Sequence, residues 1–431
     1  MNTKRALMLA LFIPTLSMVI LTLGNGFLTT LTTLTLKHGA MSVAVVGAIS
    51  SFYFIGIALG SYFTPTLINR VGHIRAYATF AAMISVATLI QGMWGNIWIW
   101  GGMRLIYGYG LAGLFILIES WVATAGGDDS KGWALALYLL IYYLAQSFSQ
   151  LFLKLHFSTS LQAFCLIAIL STFSIVPLSQ TRTQAPSIDQ PELLSPRKVF
   201  RQAPLGIWLS FISGMILAVI YTIQPYFLSL VGLDHNKIAY AMGVTILGGA
   251  LLQVPIGKWS DMVDRRKVIL FMCLSSLVLA TAIIFFHHYF SILLLLLFLL
   301  GGSTFTLYPL AMSHTTDYMK KGAIISAIGV LTLAYGVGSV LGPLIATFMM
   351  KFIGPYGLFM TIAMLSAALL LYAIWRVYKR EPMDPKKQRH FINSLPGTSV
   401  NPEELAVQLD IPVDELNQNE NPSSAKGVDP S

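Results

Sequence analysis

The chain has 431 residues, of which 55% are hydrophobic and only 10% charged, and its net charge is +9. A soluble domain carries roughly 25% charged residues, so charge this thin cannot cover a water-facing surface, and a soluble globular protein is excluded. The mean hydropathy of +0.71 points instead to a chain whose solvent is lipid.

A helix needs about 20 apolar residues to cross the hydrocarbon core, and blocks of that size recur along the whole chain. The opening MNTKR followed by an apolar run resembles a signal peptide, but the run continues too far for one and reads as a first span over 6–36. Further spans are expected at 42–69, 75–95, 97–125, 133–155 and 161–180. Residues 181–203 are polar and proline-rich and read as a linker. Six more spans follow at 204–231, 237–257, 267–287, 289–313, 323–350 and 357–378. Closed barrels, the other spanning solution, need alternating polarity that these blocks lack. The expected fold is an all-α membrane protein of about twelve transmembrane helices, a six-helix bundle over 1–180 and another over 204–380. The polar tail 381–431 reads as disordered, apart from a short helix that Asn401 would cap at Pro402.

With both termini placed in the cytoplasm of an inner-membrane protein, every Lys and Arg except Lys37, Lys154, Lys237, Lys351 and Arg104 falls on the cytoplasmic side. That bias is the positive-inside signal. It explains the net charge through topology and contact with the lipid bilayer, without nucleic acid. Cys165 and Cys273 both lie in spans and form no disulfide framework or metal spacing.

Two charged residues fall within a span, Arg104 and Glu119, both in the fourth. Intramembrane charge costs several kcal/mol, so such groups face a cavity or a partner. Fifteen positions at 100° each leave them about 60° apart on the helix surface and roughly 22 Å apart along it, too far for a direct pair. Arg104 suits an anionic substrate group, and Glu119 suits a proton site; locking ion pairs with loop charges are the structural alternative. In the fifth span Tyr138, Tyr142, Gln146 and Gln150 recur every four residues, a polar stripe that must face protein or water. It reads as lining a substrate path, with interhelical hydrogen bonding as the alternative. Asn25, Tyr221, Gln224 and Tyr226 are expected on the same cavity, with Tyr308 a weaker candidate. A GxGxxG match at Gly108, Gly110 and Gly113 sits mid-span, not between strand and helix, so these glycines are read as helix-packing residues. No nucleophile elbow, phosphate loop or His/Cys cluster occurs, which argues against an enzyme.

Asn69 and Val71 recur as Asp261 and Val263, about 192 residues on, each followed by basic residues. On these features the chain resembles the major facilitator superfamily (MFS), most closely its YcaD-type bacterial branch, from the first span to about residue 380. The loop motif G-x-x-x-D-R-x-G-R-K is matched after the second span by Arg70 and Gly72, with Arg75 added and neutral Asn69 at the acidic position. After the eighth it is matched by Gly257, Asp261, Arg265 and Arg266. The resemblance implies that these loops steady one conformation through charge contacts, more weakly at Asn69. R-x-x-x-G-x-G in the fourth span is matched by Arg104, Gly108 and Gly110, an arginine tied to proton transfer in proton-coupled members. Ile118–Trp121, Gly338, Gly342 and Pro343, and Tyr308–Pro309 also match the YcaD-type branch. The G-x-x-x-G-P of drug/proton antiporters is missing from the fifth span.

The resemblance implies alternating access around a central site, and the reading that follows is secondary transport of a small polar solute, proton-coupled as a symport. It calls for a small-molecule substrate and protons as partners, no cofactor or metal, and a monomer. Efflux of an amphipathic toxic compound and a transporter-like nutrient sensor signalling through the tail are the rival readings.

Overall fold

The computed structural model describes residues 3–125, 131–179, 196–379 and 388–392, together with 405, 408, 409 and 411. Among these residues there are sixteen α-helices and no strand. The first half holds α1 (Thr3–His38), α2 (Val43–Val71), α3 (His73–Met93), α4 (Ile97–Ala125), α5 (Lys131–Ser149), α6 (Ser160–Phe173) and α7 (Ile175–Ser179). A short α8 (Pro196–Gln202) leads into the second half, α9 (Pro204–Thr222), α10 (Gln224–Leu230), α11 (His235–Met262), α12 (Arg265–Phe286), α13 (Phe290–Phe305), α14 (Leu307–Asp317), α15 (Ile324–Ile353) and α16 (Gly357–Lys379). Eleven candidate spans are long and apolar enough to cross a bilayer. With α5 they account for all twelve expected passes. The linker differs from expectation at its end: α8 is helical and buries Val199 at 1% exposure, while 180–195 lies outside the described residues.

Three passes are helices in two pieces, and proline is the cause. A proline lacks the N–H that would reach the carbonyl four residues back, and its ring clashes there. Pro177 interrupts the sixth pass at Ser174, Pro225 the seventh at Ile223, and Pro309 the tenth at Thr306. The last two leave the carbonyls of Tyr221 and Phe305 without their helical donor. Thr306 helps hold its break by donating its hydroxyl to the carbonyls of Gly302 and Ser303, each at 3.0 Å. The fifth pass also changes form, tightening after Ser149 into a 3₁₀ turn over Gln150–Lys154.

Close helix pairs rest on glycine. A Cβ on Gly108 would strike the Tyr53 carbonyl of α2, and one on Gly56 the Leu105 carbonyl of α4. The equivalent pair in the second half, α11 with α13, is built the same way, Gly248 on Phe298 and Gly301 on Thr245. Gly338 and Gly342 let α15 meet α9 at Phe211 and Met215, beside Pro343. Without a hydrophobic drive between helices in lipid, such approach supplies the packing energy. Gly110 and Gly113 serve α3, against Ile84 and Phe80.

The helix ends rich in Lys and Arg define a basic end of the molecule, and the opposite ends a far end. Hydrogen bonds joining the two halves between described residues all lie toward the far end. Thr33 donates to the Thr222 carbonyl at 2.7 Å, and Lys37 to Ser229 Oγ at 2.8 Å. Ser51 donates to the Val340 carbonyl at 2.7 Å, Ser147 to the Gly243 carbonyl at 2.8 Å, and Lys154 to Tyr240 OH at 2.8 Å. The far end is therefore sealed.

The two motif loops differ. In the first, Gly72 takes φ 82° and donates to the Ile68 carbonyl, a left-handed turn that favours glycine. Arg70 and Arg75 are exposed there; the side chain of Asn69 lies outside the described residues. In the second, Arg265 is 1% exposed and bonds both Asp261 (2.9 Å) and Asp317 (2.5 Å), while Arg266 pairs with Asp264 (2.8 Å). The tail corrects the expectation of a solvated segment where it is described. Ile392, Leu405, Leu409 and Ile411 are all under 9% exposed, because the few apolar residues in a polar stretch gain about 25 cal/mol per Å² on leaving water. The rest of 381–431, including the proposed cap at Asn401, lies outside the described residues.

Candidate functional site

Arg104 is 1% exposed in the far half of α4. Its guanidinium lies 4.6 Å from the Tyr53 ring of α2 and 5.7 Å from the Tyr107 ring one turn along. Tyr53 in turn points its hydroxyl at Asn25 Oδ1 of α1, 3.4 Å away. The Nε and Nη1 of Arg104 have no hydrogen-bond partner, and no carboxylate pairs with it among the described residues. A desolvated cation–π contact is worth about 2 kcal/mol. Placing an arginine at this depth costs at least about 2.5–3.5 kcal/mol, so the rings offset part of the cost and leave the cation with unused donors.

Toward the basic end an aromatic belt crosses between the halves. Phe115 of α4 meets Tyr142 of α5 with ring centroids 5.6 Å apart, and Tyr143 meets Phe305 of α13 at 5.9 Å. Phe305 meets Tyr221 of α9 at 5.5 Å, and Tyr308 of α14 meets Tyr335 of α15 at 4.9 Å. Tyr221 and Phe305 are the two residues whose carbonyls the proline breaks release, so the belt sits where the backbone is discontinuous. Unbonded backbone is tolerated in a membrane only where it is buried in protein or lines a cavity, and Phe305 is fully buried. Glu119 is buried on α4 on the basic-end side, at 7% exposure.

The structure thus gathers Arg104 and Asn25 about Tyr53 and, separately, links Tyr142 to Tyr221 through Tyr143 and Phe305, while Glu119 lies roughly 22 Å along α4 from Arg104. Tyr138 is buried one turn from Tyr142 at 2% exposure, and Gln146 leaves its Oε1 without a hydrogen-bond partner among the described residues. The remaining candidates are placed otherwise. Gln150 accepts from Thr30 at 2.7 Å and donates to the Gly26 carbonyl at 3.1 Å, fastening α1 to the end of the fifth pass. Gln224 donates to Thr245 at 2.9 Å, an interhelical tie. Tyr226 lies beyond the break, buried in α10 at 8% exposure. Sequence reasoning missed Tyr53, Tyr107, Phe115, Tyr143, Phe305 and Tyr335. Only Tyr107 carried a signal, three residues after Arg104 on its face of the helix; the others look like any lipid-facing aromatic.

Comparison with known proteins agrees with this architecture. The profile described as Major Facilitator Superfamily matches residues 206–407. The uncharacterised MFS-type transporter YcaD of Salmonella arizonae is 30% identical over 82% of this chain and 92% of its own. The protein of the same name from Escherichia fergusonii is 29% identical over the same shares. Among solved structures, the D323A mutant of the nucleoside transporter NupG superposes with TM-score 0.73 at 15% identity, over 86% of this chain and 100% of that one. A bacterial homologue of the human lysosomal transporter Spinster, in an inward-facing and unoccupied conformation, gives TM-score 0.65 at 14% identity, over 88% and 96%.

Proposed function

Because the chain belongs to the major facilitator superfamily, and so is a multi-pass membrane transport protein rather than an enzyme, we propose that it moves a small polar solute by alternating access. The solute carries a carboxylate, alone or in a zwitterion, that docks on Arg104. The observation that carries this is the buried guanidinium with two donor atoms unused among tyrosines. An anion there would recover the desolvation cost that the rings leave standing, and an uncharged ligand would not. The belt of Tyr142, Tyr143, Tyr221 and Phe305 supplies apolar faces and hydroxyls for the rest of the molecule. Glu119 is the proton carrier in this reading, in which proton and solute move together as a symport.

The basic end is cytoplasmic, on the positive-inside argument, in an inner-membrane location with both termini inside. We read the sealed far end as that of an inward-facing arrangement, the conformation named for the Spinster homologue. Each protomer carries a whole central site and works as a monomer.

A thermal-shift screen of the purified protein against carboxylates, zwitterions and neutral polar solutes tests the reading. A ligand at about 100 times its dissociation constant adds roughly 2.7 kcal/mol. Carboxylate-bearing compounds are expected to raise the melting temperature of the wild type and not of Arg104→Ala. A neutral class stabilising both equally would remove Arg104 from the binding site.

A further inference from the structure

The segment 388–392 is bound to the cytoplasmic end of the second half as a ligand is bound. Arg389 donates its backbone N–H to Asp317 Oδ1 at 2.8 Å, and its carbonyl accepts from Arg265 Nη2 at 2.7 Å. Its guanidinium reaches the carbonyls of Thr316 and Met319 (2.9 Å for the latter), which cap the end of α14. The Phe391 N–H donates to Asp261 Oδ2 at 3.2 Å, and the Ile392 N–H to Ser313 Oγ at 2.8 Å. Ile392 is fully buried, and the Phe391 ring covers Gly257, where a Cβ would collide with it. The acidic and basic groups of the second motif loop are thus engaged by the chain's own tail.

The face that the tail covers has a second use. At the far end Gly243 of α11 accepts from Ser147 of α5, in the other half. At 100° per residue, Asp261 is five full turns from Gly243, and Gly257 falls about 40° short of four. Both therefore lie on the side of α11 that, nearer the far end, meets α5. When the halves rock to seal the cytoplasmic end, α5 approaches that side. Phe391 stands in the way.

We propose that 388–392 is an intrachain strap that holds the inward-facing arrangement and must lift or reseat before the cytoplasmic end closes. The cleft formed by Gly257, Asp261, Ser313 and Asp317 is its docking site. Its strength then sets the inward-to-outward rate, and release of the tail speeds that step. The inference rests on alternating access and on the topology argued above.

Accessibility of the far-end seam tests it. Thr347 of α15 is 2% exposed and packs over Gly47 of α2, so a cysteine there reacts with an impermeant maleimide only when the far end opens. Thr347→Cys in a Cys165→Ser background is compared in right-side-out vesicles with the same protein carrying Phe391→Ala, and with one truncated after Lys387. Both strap variants are expected to label about fivefold faster or more, the scale of a conformational coupling. Unchanged or slower labelling in folded variants overturns the strap, even if their melting temperatures fall, because that outcome assigns the tail a structural role alone. If truncation prevents folding, Phe391→Ala carries the test. Labelling of the full-length protein shows that alternating access stands whatever the strap does; no labelling in any variant removes both.

Discussion

Arg104 and Glu119 are the two charges that lipid would reject, and each has a separable consequence. For Arg104, lysine keeps the charge but not the planar fork that can meet a carboxylate with two bonds. Arg104→Lys is expected to bind substrate about 10-fold more weakly, one charge-assisted hydrogen bond's worth, measured as the shift in half-saturating ligand in the thermal assay. For Glu119, the glutamine variant keeps shape and loses the proton. In proteoliposomes, Glu119→Gln is expected to abolish uptake driven by a pH gradient while sparing exchange of labelled for unlabelled solute. Uphill transport retained in that variant would remove the proton role. These two residues were legible in the sequence because charge in an apolar run is rare. Tyr53, which holds the guanidinium from α2, was not, since an aromatic inside a span looks the same whether it faces a cation, a neighbour or lipid; Tyr107 was marked only by its place one turn from Arg104.

Helix by helix, the span boundaries followed from hydropathy to within a few residues because the bilayer fixes length. The breaks within spans did not. Pro225 and Pro309 were visible, but α1, α2, α11 and α15 also contain prolines without ending, so a proline alone does not mark a discontinuity. At the far end of the fifth-pass stripe Gln146 and Gln150 both face Gly26 of α1, and Gln150 makes the interhelical hydrogen bonds that were the alternative reading. The breaks have a functional corollary: Pro309→Ala would let α13 run on into α14 and redirect Phe305. Transport is expected to fall several-fold while the melting temperature holds or rises, because the substitution restores a helical bond worth about 1 kcal/mol. The glycine seams behave oppositely. Gly338→Leu must push α15 off the Phe211 carbonyl, and expression of folded protein is expected to drop sharply, as read by size-exclusion chromatography.

For the molecule as a whole, the two-half plan was legible from the recurrence of Asn69–Val71 as Asp261–Val263, but the asymmetry between the halves was not. The tail was read as solvated because its composition is polar, and three residues of it, Arg389, Phe391 and Ile392, dock at the second loop and α14 through backbone groups that composition cannot reveal. Sealing at the far end gives a direct check on the transport cycle. Ser51 donates its hydroxyl to the Val340 carbonyl across the halves, so Ser51→Cys with Val340→Cys is expected to form a disulfide under mild oxidation. Transport should stop on oxidation and return on reduction. Activity unaffected by the cross-link would mean that the far end need not open.

That seal also has a direction. Every donor in it, Thr33, Lys37, Ser51, Ser147 and Lys154, belongs to the first half, and every acceptor to the second, four of them main-chain carbonyls. A carbonyl is present whatever residue carries it. The first half therefore holds the key in its side chains, while much of the lock is written in backbone that substitution leaves in place. Random mutagenesis should find loss-of-seal variants chiefly on α1, α2 and the fifth pass, and the facing surface of the second half should accept change with little effect on closure.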